Sequence, residues 1–335
     1  MKFNPGEICR YDVDFQQLLF EQYQWLSGLD HVYSRYLDEL KSNGLWNPSD
    51  FIDEDNIPLL PIEAFRDAEV YAVKNRTPEL FFRSSGTSKS VRSTHHVADG
   101  EQYIEAIFKG LNFFYHLDEY VVLGYTPGYS ENPNSSLIWM INQMIQRDAS
   151  GLSKFLELNK PFDDEMLALI ESTGKKVMLF GAAFGLIDII EKYPCKLPSE
   201  SIVMETGGMK TYRRELSRSK MHYLLAHGFN LNESQIHSEY GMTELLSQAY
   251  SQGDEWFTCP PWMRVTIRDP FHPLQTVQDG EEGLIGIIDL ANWGSCPFLL
   301  TGDKGVRRMD GVFQVTGRWS KYHLRGCNFL LGENL

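Results

Sequence analysis

The stretch from Phe81 to Val97 has the residue types of an anion-binding loop. It contains five serines, two threonines, one glycine and three Lys or Arg side chains. Gly86 tolerates backbone angles that turn successive N–H groups around an anion. The hydroxyl and basic side chains that could contact such an anion are Ser84, Ser85, Thr87, Ser88, Lys89 and Arg92. In a chain of net charge −14, this composition favours a phosphate-bearing ligand, although a flexible polar surface loop has the same composition.

Two further motifs follow predicted strands, where open α/β sheets bind their ligands. The first ends on Gly207 and Gly208, which favour either a ligand-binding loop or a simple turn. In the second, Tyr240 could stack on a nucleotide base. The carboxylate of Glu244 could hold Mg²⁺, which prefers oxygen ligands and often bridges to phosphates. The alternative is that Thr243 and Glu244 simply begin a helix.

Two single side chains nearer the C-terminus could also do chemistry. Asp303 ends a Thr-Gly-Asp motif after a predicted strand, and an acidic side chain there suits hydrogen bonding to ribose hydroxyls. The same tripeptide is also typical of a turn. Cys327 lies among basic side chains that include Lys321 and Arg325, and positive charge lowers a thiol pKa. A small buried cysteine is the alternative.

An α/β framework must position these residues. Predicted strands and helices alternate between residues 99 and 239, which favours parallel βαβ units. Upstream, apolar residues recur at helical spacing over residues 13–43, with a break at Gly28 and an N-cap at Asp30. From about residue 255, short strands separated by turns predict an antiparallel or barrel-like layer. The predicted regions are a helical N-terminal arm (1–80), an α/β body (81–255) and a β-rich subdomain with a C-terminal cysteine tail (256–335).

Composition excludes several classes of protein. With 335 residues, 42% of them hydrophobic, the chain can bury one large core or two. No window approaches the ~18 uncharged apolar residues of a membrane span, and the N-terminus lacks the apolar core of a signal peptide. The acidic balance argues against general nucleic-acid binding. Five widely spaced cysteines without a CxxC pair argue against a zinc ribbon or a disulfide framework, and they favour a reducing cytoplasm.

Taken in order, the motifs resemble those of the adenylate-forming superfamily of acyl-CoA synthetases, luciferases and peptide-synthetase adenylation domains. The order is a Ser/Thr/Gly loop, a glycine pair after a strand, YG-x-TE, TGD and GR. The loop SSGTSKSVRS, the segment IPLLPIEAF and the final RGC resemble more narrowly the acyl-protein synthetase (LuxE-type) family of fatty-acid reductase systems. Phenylacetate–CoA ligases are the next relatives. The resemblance covers residues 57–328 and implies the large-domain fold of these enzymes, with parallel βαβ sheets and a small β-barrel-like C-terminal layer.

The family implies a two-step reaction. ATP and a carboxylic acid, a fatty acid in this family, form an acyl-adenylate, and the acyl group then passes to a cysteine near the C-terminus and on to a partner acyl reductase. Residues 84–92 would hold the β- and γ-phosphates, and Cys327 would accept the acyl group. The remaining matched residues would be Gly207 and Gly208 beside the adenine and acyl group, Tyr240 and Gly241 at the adenine, Thr243 at the α-phosphate, Glu244 at Mg²⁺, Asp303 at the ribose and Arg318 at the ribose or a phosphate.

The chain departs from the superfamily pattern in three places. Lys89 replaces a usual glycine, and the stretch after the GR motif lacks the usual hinge aspartate. The chain ends at Leu335, so we expect the superfamily's mobile C-terminal domain and its lysine to be absent, as in the short acyl-protein synthetases. Lys89, Arg92 or Lys321 would then supply the missing positive charge during catalysis.

Two other functions fit the same motifs. One is an acyl- or aryl-CoA ligase, whose product would be a thioester with free coenzyme A. The other is a non-catalytic module that binds a nucleotide or a partner reductase. The sequence leaves open the identity of the acid, the final acyl acceptor and whether the chain forms a homo-oligomer.

Overall fold

The structure is a computed structural model that describes residues 3–47, 53–84, 92–126, 133–207 and 216–319. None of the helices in these ranges is long and apolar enough to cross a membrane. Eight α-helices occur in the described residues: α1 (Phe15–Ser27), α2 (Val32–Ser42), α3 (Ala64–Asp67), α4 (Gly100–Phe114), α5 (Ser136–Arg147), α6 (Asp164–Ser172), α7 (Ala183–Lys192) and α8 (Arg218–Phe229).

The strands of the described residues form three sheets. A six-stranded sheet, a five-stranded sheet and a two-stranded hairpin account for all of them. The strands are β1 (Leu60–Pro61), β2 (Leu80–Arg83), β3 (Thr94–Val97), β4 (Tyr120–Tyr125), β5 (Lys154–Phe155), β6 (Lys176–Ala182), β7 (Ile202–Thr206), β8 (Ile236–Tyr240), β9 (Ala249–Ser251), β10 (Met263–Arg268), β11 (Gly283–Asp289), β12 (Phe298–Arg307) and β13 (Phe313–Arg318).

Contacts between residues divide the chain into two compact units. Unit 1 contains the described residues within Met1–Ala106, Thr243–Ser247 and Thr258–Leu335. Unit 2 contains those within Ile107–Met242 and Gln248–Phe257. The short segment Thr243–Ser247 therefore belongs to unit 1, although the residues on either side of it belong to unit 2. The three-part division predicted from the sequence stays a prediction.

Unit 2 is built on the six-stranded sheet, in the order β5-β4-β6-β7-β8-β9. The strands pair in parallel from β5 to β8, and β9 pairs with β8 in the antiparallel direction. The central strands β4 and β6 are continuous apolar runs, as expected of buried parallel strands. In β6 every residue after Lys176 is buried. Alternation of these strands with α5 to α8 confirms the predicted βαβ arrangement.

Unit 1 contains the five-stranded sheet, in the order β1-β12-β11-β10 with β13 paired to β12. β1 is parallel to β12, and the other pairs are antiparallel. The hairpin of β2 and β3 and the N-terminal helices α1 and α2 belong to the same unit. The β-rich layer predicted after residue 255 is thus present, and its first strand comes from the proline-containing segment near residue 60.

Three local expectations are wrong. His31, not Asp30, is the N-cap of α2, because Asp30 instead forms an ion pair with Lys74. Asp303 lies inside β12 and not after it, because pairing with β13 extends the strand. The alternative in which Thr243 and Glu244 begin a helix is also wrong: both residues lie in a turn, and the segment after them leads into β9.

Candidate active site

The Ser/Thr-rich stretch joins the paired strands β2 and β3. Leu80 pairs with Val97 and Arg83 with Thr94, so β2 and β3 are antiparallel neighbours that residues 84–93 connect in the sequence. The backbone N–H of Ser84 donates to the carbonyl of Ser93 at 3.2 Å, and the N–H of Ser93 donates to the Ser84 hydroxyl at 3.1 Å. Arg92 is exposed beside this pair. The five other predicted contact residues, Ser85, Gly86, Thr87, Ser88 and Lys89, lie outside the described residues.

Ser93 connects the hairpin to Glu244. Its hydroxyl donates a short hydrogen bond to Oε1 of Glu244, and both residues are buried. The structure therefore brings the first predicted motif together with the predicted metal-binding carboxylate, 151 residues apart in sequence. Sequence reasoning did not single out Ser93. It is one of five serines in the stretch, and composition alone does not rank them.

His95 and Asn292 contact the backbone carbonyl oxygens of two consecutive residues, Thr243 and Glu244. Nδ1 of His95 lies 2.8 Å from the carbonyl oxygen of Thr243, and its Nε2 lies 2.9 Å from Oδ1 of Asn292. Nδ2 of Asn292 donates to the carbonyl oxygen of Glu244 at 2.8 Å. Burial lowers the pKa of His95 to about 4. Asn292 lies in no predicted motif, and His95 lies in the Phe81–Val97 stretch without being one of its predicted contact residues.

Asp303 and Arg318 pair directly. They are register partners of β12 and β13, and Nε of Arg318 donates to Oδ1 of Asp303 at 2.8 Å. Asp303 is buried, whereas the Arg318 side chain is 69% exposed. Two residues predicted from separate motifs are thus neighbours, and the guanidinium holds one carboxylate oxygen in place.

In unit 2, the predicted residues lie where β7 and β8 end. Gly207 follows β7 with a φ of 74°, which disfavours any residue with a side chain. Tyr240 ends β8, and its buried ring lies 5.8 Å from the ring of Phe257. A side chain on Gly241 would collide with the Glu239 carboxylate, so this position also requires glycine. Gly208 lies outside the described residues.

The same edge of the sheet holds an acidic pair that the sequence analysis missed. Glu205 is almost fully buried; its Oε1 lies 3.8 Å from Nε of Arg218 and 3.9 Å from Nε2 of His222. Glu239 lies on the neighbouring strand and is partly exposed. Desolvation, together with the charge of Glu205, raises the pKa of Glu239 to about 8. The signal was visible: a glutamate lies one residue before the end of each of these two buried, adjacent strands.

The raised pKa of Glu239 makes stability depend on pH. The unfolded chain loses this proton near pH 4.3, whereas the folded chain keeps it until about pH 8. The free energy of unfolding therefore falls as pH rises through that interval. We expect Glu239→Gln to melt roughly 2–5 °C above the wild type at pH 8.5, with the difference shrinking toward pH 4.5.

Scanning calorimetry from pH 4.5 to 8.5 measures this difference. Glu233→Gln, at an exposed glutamate of the same unit, is the matched control and should follow the wild type at every pH. A constant difference between Glu239→Gln and the wild type over the whole range would contradict the assignment.

The described cysteines are poor candidates for a thiolate nucleophile. Cys9 and Cys296 are buried, and Cys195 and Cys259 are partly exposed. Burial raises the pKa of Cys195, Cys259 and Cys296 to about 12. Cys327 lies outside the described residues.

A metal ion would have few protein ligands in the described part of the chain. These residues contain no group of three or more His, Cys, Asp or Glu side chains arranged to hold a metal. Glu244, buried and oriented by Ser93, can offer a single carboxylate. That donor set fits Mg²⁺, which commonly takes one or two carboxylates and completes its shell with water and substrate phosphates.

Comparison with known proteins supports the resemblance seen in the motifs. No family model matches the chain. It is similar to a long-chain-fatty-acid–luciferin-component ligase of Aliivibrio fischeri, with 26% identity over 272 residues. The match covers 75% of this chain and 69% of the relative. The predicted resemblance to the LuxE-type acyl-protein synthetases is confirmed by this match.

Solved structures confirm the predicted fold class. The ATP-bound MatB from Rhodopseudomonas palustris superimposes with a TM-score of 0.51 at 14% identity, over 71% of this chain and 47% of MatB. A 2-hydroxyisobutyryl-CoA ligase, in complex with its acyl-AMP and CoA, superimposes with a TM-score of 0.55 at 12% identity. That match covers 94% of this chain and 68% of the ligase. The chain thus spans about half the length of MatB and two thirds of the other ligase, and it has the fold of adenylate-forming enzymes.

Proposed function

We propose that this chain, a relative of the LuxE-type acyl-protein synthetases with the fold of adenylate-forming enzymes, uses ATP to activate a carboxylic acid. The acyl group then passes to Cys327 and on to a partner acyl reductase. The hydrogen bond from Ser93 to Glu244 carries this proposal, because it joins the hairpin of the phosphate-binding loop to the carboxylate of the YG-x-TE motif. The name of the relative supports a long-chain fatty acid as the substrate.

In the first step, a carboxylate oxygen of the acid attacks the α-phosphorus of ATP. The new O–P bond forms as the bond to the β-phosphate oxygen breaks, and pyrophosphate leaves. The acid needs this step because a free carboxylate is a poor electrophile. Negative charge grows on the phosphates in the transition state, so fixed donors and cations aimed at them lower the barrier. Thr243 would contact the α-phosphate.

The hairpin loop would hold the departing phosphates. Its hydroxyls and the positive charges of Lys89 and Arg92 would compensate the charge on pyrophosphate. Exposed Arg92, next to the Ser84–Ser93 contact, is a described residue that supports this role. Glu244 would hold Mg²⁺ together with phosphate oxygens and water. The metal would supply further charge compensation at the phosphates.

The remaining predicted residues would select and orient the nucleotide. The aromatic ring of Tyr240 offers a face for the adenine, and Gly207, Gly208 and Gly241 let a ligand approach the backbone closely. Asp303 would accept hydrogen bonds from the ribose hydroxyls. Its contact with Arg318 supports this role, since a fixed carboxylate loses less freedom when it binds.

In the second step, the thiolate of Cys327 would attack the carbonyl carbon of the acyl-adenylate. A thioester forms, the acyl–oxygen bond to phosphate breaks, and AMP leaves. A thiolate is a natural nucleophile for this mixed anhydride. The raised pKa values of Cys195, Cys259 and Cys296 support the choice of Cys327, because these thiols stay protonated at neutral pH.

Acid-dependent release of pyrophosphate tests the proposal. We expect the purified chain to release pyrophosphate from Mg·ATP only when a suitable acid is added, with long-chain fatty acids the first members of a carboxylic-acid panel. Radiolabelled acid should become attached to the chain through a bond that neutral hydroxylamine cleaves. ATP binding without acid-dependent pyrophosphate release would favour a non-catalytic module. Formation of a coenzyme A thioester without labelled protein would favour an acyl-CoA ligase.

A further inference from the structure

Buried side chains from distant parts of unit 1 hold the segment Thr243–Ser247. On its N-terminal side, His95 and Asn292 contact the carbonyl oxygens of two consecutive residues, Thr243 and Glu244. On its C-terminal side, Asp289 accepts hydrogen bonds from the backbone N–H groups of Leu246 and Ser247, at 2.8 and 2.9 Å. The backbone around Glu244 is therefore fixed at both ends by groups without access to water.

The amide of Asn292 has one orientation that satisfies its neighbours. Nδ2 donates to the carbonyl oxygens of Glu244 at 2.8 Å and Cys296 at 3.0 Å, which leaves Oδ1 facing Nε2 of His95. His95 in turn reaches the carbonyl oxygen of Thr243. These contacts link the carbonyl oxygens of Thr243 and Glu244 through the two side chains. A neutral His95 ring carries one N–H, so it donates to either the Thr243 carbonyl or Oδ1 of Asn292 at a time. Loss of either side chain would leave buried polar groups without a partner, which is costly.

The start of β3 and the residue before it contact both the backbone and the carboxylate of this segment. Ser93 directly precedes β3 and His95 is its second residue, so the two side chains are two residues apart in extended chain and lie on the same side. Ser93 donates to the Glu244 carboxylate, and His95 contacts the preceding carbonyl. The position of Glu244 is thus tied to the hairpin at the end where Ser84 and Ser93 flank the predicted phosphate-binding loop.

We propose that His95 and Asn292 are positioning residues, which fix the Glu244 carboxylate relative to the phosphate-binding hairpin. The proposal rests on the proposed function, in which Glu244 holds Mg²⁺. Both side chains are fully buried, so we assign neither a contact with the nucleotide. Their effect is exerted through the carbonyl groups of Thr243 and Glu244. Asp289 supports Asn292 as well, since its Oδ1 caps the short turn that carries Asn292 by accepting from the N–H of Ala291 at 3.2 Å.

The test uses His95→Gln and Asn292→Ala in the full chain. His237→Gln is the matched control: His237 is also buried and makes two hydrogen-bond contacts, with Tyr115 and with the carbonyl of Ser234, and burial also lowers its pKa to about 4. Ser93→Ala is a smaller change that keeps the test informative if a larger one prevents folding. Two quantities are measured: the Mg²⁺ concentration that half-saturates pyrophosphate release, and the rise in melting temperature caused by Mg·ATP compared with ATP in EDTA.

The variants His95→Gln, Asn292→Ala and His237→Gln are all expected to melt below the wild type. Only His95→Gln and Asn292→Ala should need about tenfold more Mg²⁺ and lose about 10–100-fold in kcat, the usual effect of removing a group that orients a metal ligand. Ser93→Ala should show the same shift in Mg²⁺ requirement. The KM for the acid should stay within about twofold of the wild-type value in each of these variants.

The proposal is overturned if the variants of His95, Asn292 and Ser93 keep the wild-type Mg²⁺ requirement, or if His237→Gln changes it equally. The melting experiment separates this outcome from failure of the proposed function. A wild-type chain that is stabilised by Mg·ATP but releases no pyrophosphate would contradict the proposed activity alone. The Mg²⁺-dependent stabilisation would then still show whether His95 and Asn292 position Glu244.

Discussion

Glu244→Gln is expected to lower kcat for acid-dependent pyrophosphate release by about 10²–10³-fold, the range observed when one group that stabilises transition-state charge is removed. The substitution keeps the shape of the side chain and lets the Ser93 hydroxyl still donate to an oxygen at this position. It removes the negative charge of the carboxylate that would hold Mg²⁺. The loss should therefore fall on the chemical step and on the Mg²⁺ requirement, and the KM for the acid should change little.

Steady-state pyrophosphate release, measured as Mg²⁺ is varied at saturating acid, checks this expectation. Glu54→Gln is the matched control, because it removes one charge from a partly buried glutamate of the same unit that is paired with Arg264 and Arg307. Melting temperatures of both variants separate a loss of activity from a loss of fold. If the rate and the Mg²⁺ requirement of Glu244→Gln matched those of Glu54→Gln, Glu244 would not be the residue that holds Mg²⁺.

Much of unit 2 could be predicted because its elements are specified locally. Buried parallel strands are continuous apolar runs, and β4 begins and ends where the sequence placed it, at Tyr120 and Tyr125. Three of the helices between the strands have side-chain N-caps: Ser135 before α5, Asp163 before α6 and Ser217 before α8. Apolar pattern and capping residue agree at each of these positions, so the order of elements follows from the sequence.

The wrong expectations share a physical cause: the deciding partner is distant in the sequence. The motif around Asp303 reads as a turn, yet β12 continues through it because β13 pairs alongside. Thr243 and Glu244 read as a helix start, but the N–H groups of Leu246 and Ser247 donate to Asp289, more than forty residues away. A local sequence pattern cannot show which long-range hydrogen bonds form in the folded chain.

The candidate site was predictable in its motifs but not in its connections. Composition and motif order pointed to Glu244, whereas the side chains that hold its backbone carry no motif of their own. His95 lies 197 residues from Asn292; it belongs to the Phe81–Val97 stretch without being one of its predicted contact residues, and Asn292 belongs to no predicted motif. Their role follows only from burial and from hydrogen-bond partners, which are properties of the folded chain.

Cys327→Ser is expected to abolish the labelled thioester while leaving adenylate formation nearly intact. The two steps use different atoms: pyrophosphate leaves before the thiol acts, so exchange of labelled pyrophosphate into ATP should stay within about twofold of the wild-type rate. A serine hydroxyl is a far weaker nucleophile than a thiolate at neutral pH. Acyl-adenylate should therefore form and hydrolyse slowly, with no acyl group on the protein and none delivered to an acyl reductase.

Labelling with radioactive acid, followed by treatment with neutral hydroxylamine, measures the protein-bound thioester directly. Cys195→Ser is the matched control, since Cys195 is partly exposed and burial keeps its pKa near 12. It should be acylated like the wild type, because a protonated thiol does not attack the adenylate. If Cys327→Ser still formed the hydroxylamine-sensitive adduct at the wild-type rate, the acyl carrier would be another group. A loss of pyrophosphate exchange in the same variant would instead place Cys327 in the adenylation step, because that step requires no thiol in the proposed reaction.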